Sequence, residues 1–364
     1  MCHLGFLTLR RARDEAGGLV PTPPGPPIPP ADAAPSALAS IAFARRLATF
    51  GRPFGIAVVA FTPDDLRPDG TVRAVLFSGR SVRRATIPMP EAVYDFVRTQ
   101  PTDAFRRYLA ARKAGRWPSP SRGGSEKWRL DRILRASPLA PHLPETILWT
   151  GDAEARASAE ALLAGGDVVI KPRAGTGGRG VVRIPRDTPP SALRRALGAL
   201  PPGRHLLQRY IPHAVGDRVY DVRVLVQKTP DGVFRPTGAG VRTNDRRRFV
   251  TNLARGGRAL SLNAYLLRVR RFSAARAETL QGDLFRLATA AAEALEAGLG
   301  PLVEVGLDVV IDPEGRLFIV EANTKPGREL FRRLGDRSAY RLSHLRPLFY
   351  LCAWARNTAS IRRA

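Results

Sequence analysis

VEVGLDVVIDPEGRLFIVEANTKPGR, residues 303–328, is the stretch whose reading decides the fold. It reads as two strands around a tight turn. Residues 306–311 are rich in β-branched side chains, as a strand buried on both faces is. Asp312-Pro313-Glu314-Gly315 supplies the turn, with proline presetting φ at its second position and glycine free to take positive φ. The chain returns through residues 316–321. Glu321 and Asn323 are two apart, so an extended backbone points both to one face. With Pro313 and Glu314 at the turn centre, Asp308 lies opposite Ile319 and shares that face; a one-residue bulge at Gly315 would break this register. Two carboxylates and an amide oxygen then converge at one strand end, a hard-oxygen set that suits Mg²⁺ shared with nucleotide phosphates. An isolated D…ExN also fits a solvated hairpin end, so the rest of the chain has to choose between the two.

A chain of 364 residues is long enough for two domains with proper cores. Its 44% apolar and 25% charged content is ordinary, but its net charge of +26 is not. Only Lys113, Lys127, Lys171, Lys228 and Lys325 are lysine; the other basic residues are arginine. Such a charge favours anionic partners such as phosphates, carboxylates, nucleic acid or acidic surfaces. It does not by itself assign nucleic acid, because no aromatic-interleaved basic patch and no helix-turn-helix accompany it. Arg246-Arg247-Arg248, the tightest cluster in the second half, reads as a solvated loop. Cys2 and Cys352 give neither a disulfide framework nor metal spacing, which makes a reducing, cytoplasmic interior the default. The apolar run in MCHLGFLTLRRAR is short for a secretory h-region and no 18-residue apolar span occurs, so neither a secretory signal nor a membrane partner is expected.

Residues 1–120 read as a small α/β domain. Strand-like runs at 4–9, 54–61 and 72–77 alternate with a helix from Ser36 to a stop at Gly51. A proline-rich insertion, VPTPPGPPIPP at 20–30, interrupts it. WPSPSRGGS, residues 117–125, is the domain boundary. Beyond it, helices are expected at 126–135, 158–163 and 189–200, and strands at 167–171, 205–211 and 221–227. The clearest amphipathic helix opens at Ser273, repeats through Leu280, Leu284, Leu287, Ala291 and Leu295, and ends at Gly298. Residues 121–345 form the second unit, and 346–364 a basic, mostly helical C-terminal tail.

KPRAGTGGRG, residues 171–180, contains Gly175-x-Gly177-x-x-Gly180, formally the dinucleotide fingerprint. That fingerprint opens a helix, whereas here the strand-like Val181-Val182-Arg183-Ile184 follows. It is not a Walker A loop either, since no Gly-Lys-Ser/Thr follows. What remains is a glycine flap between two strands, with Gly175, Gly177, Gly178 and Gly180 leaving backbone N–H groups free to wrap phosphates. Lys171 stands just before it, after Val168-Val169-Ile170. A solvated face explains that lysine poorly, although a glycine hairpin with an edge lysine remains an equal reading of this stretch alone.

The order of these features carries a resemblance. In sequence come IPMPEAVY at 87–94, EKW at 126–128, LPET at 143–146, Lys171 with the flap, LQRYI at 207–211, DVRVLVQK at 221–228, TNLARGG at 251–257 and EANTKPGR at 321–328. Together they resemble the ATP-grasp superfamily of carboxylate–amine ligases, and within it the YheC/YheD branch described as endospore coat-associated. The resemblance implies a small Rossmann-like N-terminal domain followed by a two-lobed ATP-grasp fold, mixed α/β and α+β, binding ATP with Mg²⁺ or in its place Mn²⁺. It implies that Lys171, assisted by Lys127, holds the phosphates and that the flap closes over them. Gln208, Arg209 and Tyr210 would meet adenine, partly through backbone; many relatives carry glutamate where Arg209 stands. Asp221 would serve ribose or phosphate and Arg242 phosphate; Asp308, Glu321 and Asn323 would bind the metal. Arg223, Asn252 and Arg328 would face the acceptor.

The implied activity is ATP-dependent joining of a small-molecule or peptide carboxylate to an amine or thiol through an acyl phosphate, with spore coat proteins as further partners and spore association as a further location. That chemistry needs charge neutralisation and in-line positioning more than acid–base help. A non-catalytic nucleotide-binding protein of the endospore coat is the alternative. The complete set of Asp308, Glu321 and Asn323 favours the enzyme.

Overall fold

In the computed structural model, residues 1–8, 40–79, 81–98, 102–121, 126–175, 178–245, 251 and 257–361 are described. The proline-rich stretch 20–30, Gly177, residues 246–248 and Asn252 fall outside them. The apolar runs near the N-terminus form β1 (Cys2–Leu7) and β2 (Ile56–Phe61), parallel to each other and crossed over by α1 (Ile41–Gly51). β3 (Thr71–Ser78), β4 (Ser81–Pro88) and β5 (Ala92–Asp95) complete a five-stranded sheet in the order β4-β3-β2-β1-β5, with β5 parallel to β1. The parallel half with its crossover is the Rossmann-like part. α2 (Asp103–Lys113) closes the domain.

The first grasp lobe begins with α3 (Lys127–Arg135). It then builds a four-stranded sheet from β6 (Thr146–Leu148), β7 (Val168–Pro172), β8 (Val182–Ile184) and β9 (His205–Arg209), ordered β6-β9-β7-β8. α4 (Ala153–Ala164) and α5 (Pro190–Gly198) cover it with a small core around Leu162, Leu193 and Leu207. The second lobe is a six-stranded antiparallel sheet. Its path is β13 (Arg258–Ser261), β12 (Phe234–Asp245), β11 (Arg218–Lys228), β14 (Glu304–Ile311) and β15 (Leu317–Asn323), with β10 (Ala214–Val215) paired to β11. After α6 (Leu262–Ala264), α7 (Ala274–Leu299) lays its apolar stripe across that sheet, burying Leu284, Ala288, Ala291 and Leu295 against Val224, Val226 and Leu307. α7 ends at Gly300, at φ 85°, and not at Gly298. Gly298 is there for packing: a Cβ on it would meet Ile133 of α3 at 2.8 Å.

α8 (Glu329–Leu334) leads into α9 (Arg337–Ile361), a single helix that absorbs the expected tail. Its apolar face, including Leu345, Leu348, Leu351 and Ala355, is buried in the core of the first domain. Pro347 sits inside it. Proline has no N–H to offer the carbonyl four residues back, which frees that of Ser343. This carbonyl accepts instead from Gln227 Nε2 at 2.9 Å and Arg328 Nη2 at 3.2 Å, so the break in the helix ladder becomes a tie to the second lobe.

Cys2 and Cys352 are disulfide-bonded, with Cα atoms 6.1 Å apart, contrary to the reading that they give no disulfide framework. They are 350 positions apart, and only the docking of α9 on β1 brings them together, so no spacing could show it. The compartment argument that rested on them loses its premise. No helix among the described residues is long and apolar enough to cross a membrane.

Candidate functional site

The turn between β14 and β15 slips twice. Gly315, at φ 91°, shifts the pairing so that Ile311 faces Leu317, and a second irregularity between Asp308 and Val309 shifts it again. Asp308 therefore opposes Glu321 and not Ile319, and Asn323 opposes Gly306. One slip would have flipped the strand; two restore the face. Asp308, Glu321 and Asn323 thus line one cleft between the two lobes, with Lys127, Lys171, Gly175, Gly178, Gln208, Arg209, Tyr210, Asp221, Arg223 and Arg242.

A row of charges crosses the second lobe. Arg242 on β12 faces Asp221 on β11, and Arg223 on β11 faces Asp308 on β14. Arg242 forks onto Asp221 with two bonds of 2.7 Å and reaches Asp308 at 2.8 Å. Arg223 Nη2 donates to Asp308 at 3.0 Å, with a second, shorter contact from Nε. Burial pushes the Asp308 carboxyl up, but the two guanidiniums outweigh it and hold it well below the usual carboxylate range. Burial likewise opposes the charge on Arg242, and Asp221 and Asp308 overcome it, raising its pKa.

Lys171 joins the lobes. Buried, its Nζ donates to Gln208 Oε1 at 2.8 Å on the first lobe and to the Val320 carbonyl at 3.0 Å on the second. Gln208 is itself fixed by Thr146 Oγ1 at 2.9 Å. Desolvation pulls the Lys171 ammonium down to about 8, against the opposing pull of Glu321. Lys127, at the start of α3, donates to the Gly175 carbonyl at 2.6 Å and lies 3.5 Å from Glu321, so it ties the flap to that carboxylate. The flap joins antiparallel β7 and β8, as its strand-like flanks imply. Gly180, at φ 69°, sits where a Cβ would meet Pro172 at 3.0 Å.

At the strand end, Arg209 turns its guanidinium away from the cleft onto the carbonyls of Leu162 and Gly166, at the end of α4, and onto Glu145 at 3.3 Å. A cation suits the carbonyl end of a helix. Tyr210 carries Arg183 over its ring at 4.0 Å and packs against His213 at 5.2 Å. His213 lines the cleft, with Nδ1 2.7 Å from the Ile211 carbonyl, and burial lowers its pKa, which keeps it neutral. Sequence reading gave no role to His213, a core or surface histidine by that reading, nor to Thr251, whose hydroxyl bonds Asp221 although it opens the TNLARGG stretch; both line the cleft.

Arg328 is not brought to the cleft. It is buried behind it, where its guanidinium meets Glu304 at 2.9 Å and the Tyr94 hydroxyl at 3.1 Å. Lys325 is buried too, donating to Asp95 at 3.0 Å and the Val97 carbonyl at 2.6 Å. Both side chains reach β5 or the residues just after it, so the end of the EANTKPGR stretch docks the first domain. Gly306 makes the room: a Cβ there would sit 2.6 Å from Pro326.

The residues present fit a magnesium ion through their chemistry, two carboxylates and an amide oxygen on facing strands. Among the described residues no three His, Cys, Asp or Glu side chains gather as a metal cluster.

A family model described as YheC/D like ATP-grasp matches residues 120–353. Endospore coat-associated protein YheC of Bacillus subtilis (strain 168) is 25% identical over 333 residues, covering 82% of this chain and 89% of that protein. The D-alanine-D-alanine ligase from Coxiella burnetii superposes with a TM-score of 0.56 at 12% identity, over 100% of this chain and 98% of that one. ATP-grasp ligase PsnB, complexed with a phosphomimetic variant of its minimal precursor, Mg and ADP, superposes with a TM-score of 0.51 at 17% identity, over 95% of this chain and 97% of that one. The fold is the two-lobed ATP-grasp fold behind a Rossmann-like domain, and the chain belongs to the YheC/D-like ATP-grasp family.

Proposed function

We propose that this protein is a Mg²⁺·ATP-dependent ligase that activates a carboxylate as an acyl phosphate and passes the acyl group to an amine or thiol. The observation that carries this reading is Lys171, buried between the lobes with its Nζ facing a cleft of carboxylates and arginines under a glycine flap. A lysine held there by an amide oxygen and a carbonyl, with no carboxylate in ion-pair contact among the described residues, is set for phosphate. Asp308, Glu321 and Asn323 would hold the metal, which when bound neutralises the phosphate charge. Lys171, Lys127 and the flap hold the phosphates in line; Arg223 and Arg242 balance charge on the transferring group. A carboxylate oxygen of the acid attacks the γ-phosphorus and ADP leaves. The amine or thiol then attacks the acyl carbon and inorganic phosphate leaves, the nucleophile's proton passing to solvent or phosphate. Little acid–base help is required, and the cleft offers one neutral histidine.

Arg328 and Asn252 enter this scheme differently. Arg328 supports the site from behind through Glu304, and Asn252 is assigned to the acceptor from its sequence position alone. The name of the Bacillus relative supports a link to the spore coat, and the precursor-bound neighbour supports a peptide as one substrate class.

Incubation with Mg²⁺, ATP and candidate acids in the presence of hydroxylamine tests the reading. The expected product is a hydroxamate formed with stoichiometric ADP. ATP bound without any hydroxamate from any acid would replace the ligase with a non-catalytic nucleotide-binding coat protein.

A further inference from the structure

Arg98 follows β5 at the edge of the first domain, beside the turn at 326–327. Its Nη2 lies 3.8 Å from where a Cβ on Gly327 would be, and its guanidinium sits over the Phe96 ring at 5.0 Å. Arg328 approaches the same ring at 5.9 Å. Nη1 of Arg223 lies 3.6 Å from where a Cβ on Gly306 would be, and that position is 2.6 Å from Pro326, so Arg98 and Arg223 both approach this one turn.

Three of the cations around this turn are paired with a carboxylate. Arg223 has Asp308, Arg328 has Glu304 and Lys325 has Asp95. Among the described residues Arg98 has no carboxylate in ion-pair contact, although it is crowded by these cations. Open to solvent on one side and packed on the other, its guanidinium loses hydration and then feels Arg328 and Arg223, which together lower its pKa. The aromatic ring holds the cation in place while leaving its hydrogen-bonding edge open. Arg223 adds to that edge, since both its bonds to Asp308 use Nε and Nη2 and leave Nη1 unused among the described residues.

Resting on the ligase reading above, we infer that Arg98, with Nη1 of Arg223, forms a second anion subsite where the first domain meets the second lobe. The acid substrate therefore carries two anionic groups: the carboxylate that is activated and a carboxylate or phosphate anchored by Arg98.

The test uses the whole protein saturated with Mg²⁺·ADP and titrated calorimetrically with glutarate, 4-phosphonobutyrate and butyrate. At least one of the two doubly anionic probes is expected to bind tenfold or more tightly than butyrate, and which one it is separates carboxylate from phosphate. Arg98→Gln should bring that ratio to near one and Arg98→Lys should retain part of it, both with ADP affinity as in the parent. A parent that binds ADP but holds both dianionic probes no better than butyrate overturns the inference, as does a preference that survives Arg98→Gln. A parent that does not bind ADP overturns the ligase reading first and the subsite with it.

Discussion

Binding of Mg²⁺·ATP should draw a proton onto Lys171. In the free protein its pKa lies at about 8 against an ordinary 10.5, because it is buried with neutral oxygens as its direct partners. The unfolded chain keeps that proton to higher pH than the folded one, so apo stability is lowest below pH 8 and rises as pH climbs toward 10.5. At neutral pH, holding the charge costs roughly 3 kcal/mol, from about 1.4 kcal/mol per pH unit. A phosphate beside the ammonium removes the reason for the depression. At pH 8 the free protein is about half protonated and the complex fully so, giving an uptake of about 0.5 proton per ATP; at pH 7 it falls to about 0.1.

Calorimetry at pH 8 in Tris and in HEPES measures this directly, because the apparent enthalpies differ by the uptake multiplied by the difference in buffer ionisation enthalpy. Lys171→Met should abolish the difference and weaken ATP roughly 10- to 150-fold, the loss of a charge-assisted contact worth about 1.5–3 kcal/mol. Its apo stability should change little, since relief of the buried charge is offset by leaving Gln208 Oε1 and the Val320 carbonyl without a donor. Equal enthalpies in both buffers for the parent, or the same uptake in Lys171→Met, would show that Lys171 does not meet the phosphates.

Arg328→Met should lower the unfolding free energy by about 3–5 kcal/mol in a denaturant titration, because it strands a Glu304 side chain that is 1% exposed; adding Glu304→Gln should recover part of the loss. Reduction of the Cys2–Cys352 bond should lower the denaturation midpoint by the equivalent of about 2–4 kcal/mol, read by scanning calorimetry with and without reductant. Glu321→Gln should retain the fold by circular dichroism while losing Mg²⁺-dependent ADP release in the hydroxylamine assay. Random duplex DNA should show no binding by fluorescence anisotropy at physiological salt, despite the net charge of +26, since phosphate-driven attraction is steeply salt-sensitive.

The residues that line the cleft between the lobes were legible because their motifs are short, local and ordered. Lys171 with its flap lies within ten residues, and Glu321-x-Asn323 within three. Strand periodicity alone placed the latter pair on one face. The position of Asp308 was harder, since the turn chemistry at 312–315 fixes one slip and hides the second, which lies at Asp308 itself. Arg209 illustrates a different limit. Its place in LQRYI marks it for adenine, but the side chain is held by the end of α4 and by Glu145, and no local pattern announces that.

EANTKPGR divides between two tasks that its letters do not separate. Glu321 and Asn323 line the cleft, whereas Lys325 and Arg328 are buried against the first domain. All four look like one cationic and acidic motif because sequence shows spacing but not which domain lies behind the strand end. The partners that decide the matter, Tyr94 and Asp95, stand some 230 positions earlier. A further partner of Arg328 is later and equally unreadable: a carbonyl at Ser343 that becomes an acceptor because Pro347 cannot donate to it. A proline in a helix usually reads as a break. Here the freed carbonyl completes the environment of Arg328, and through Arg328 and Glu304 it links α9, β5 and β14 around the back wall of the site. The docking of the first domain and the shape of the cleft are thus set by the same few buried polar groups.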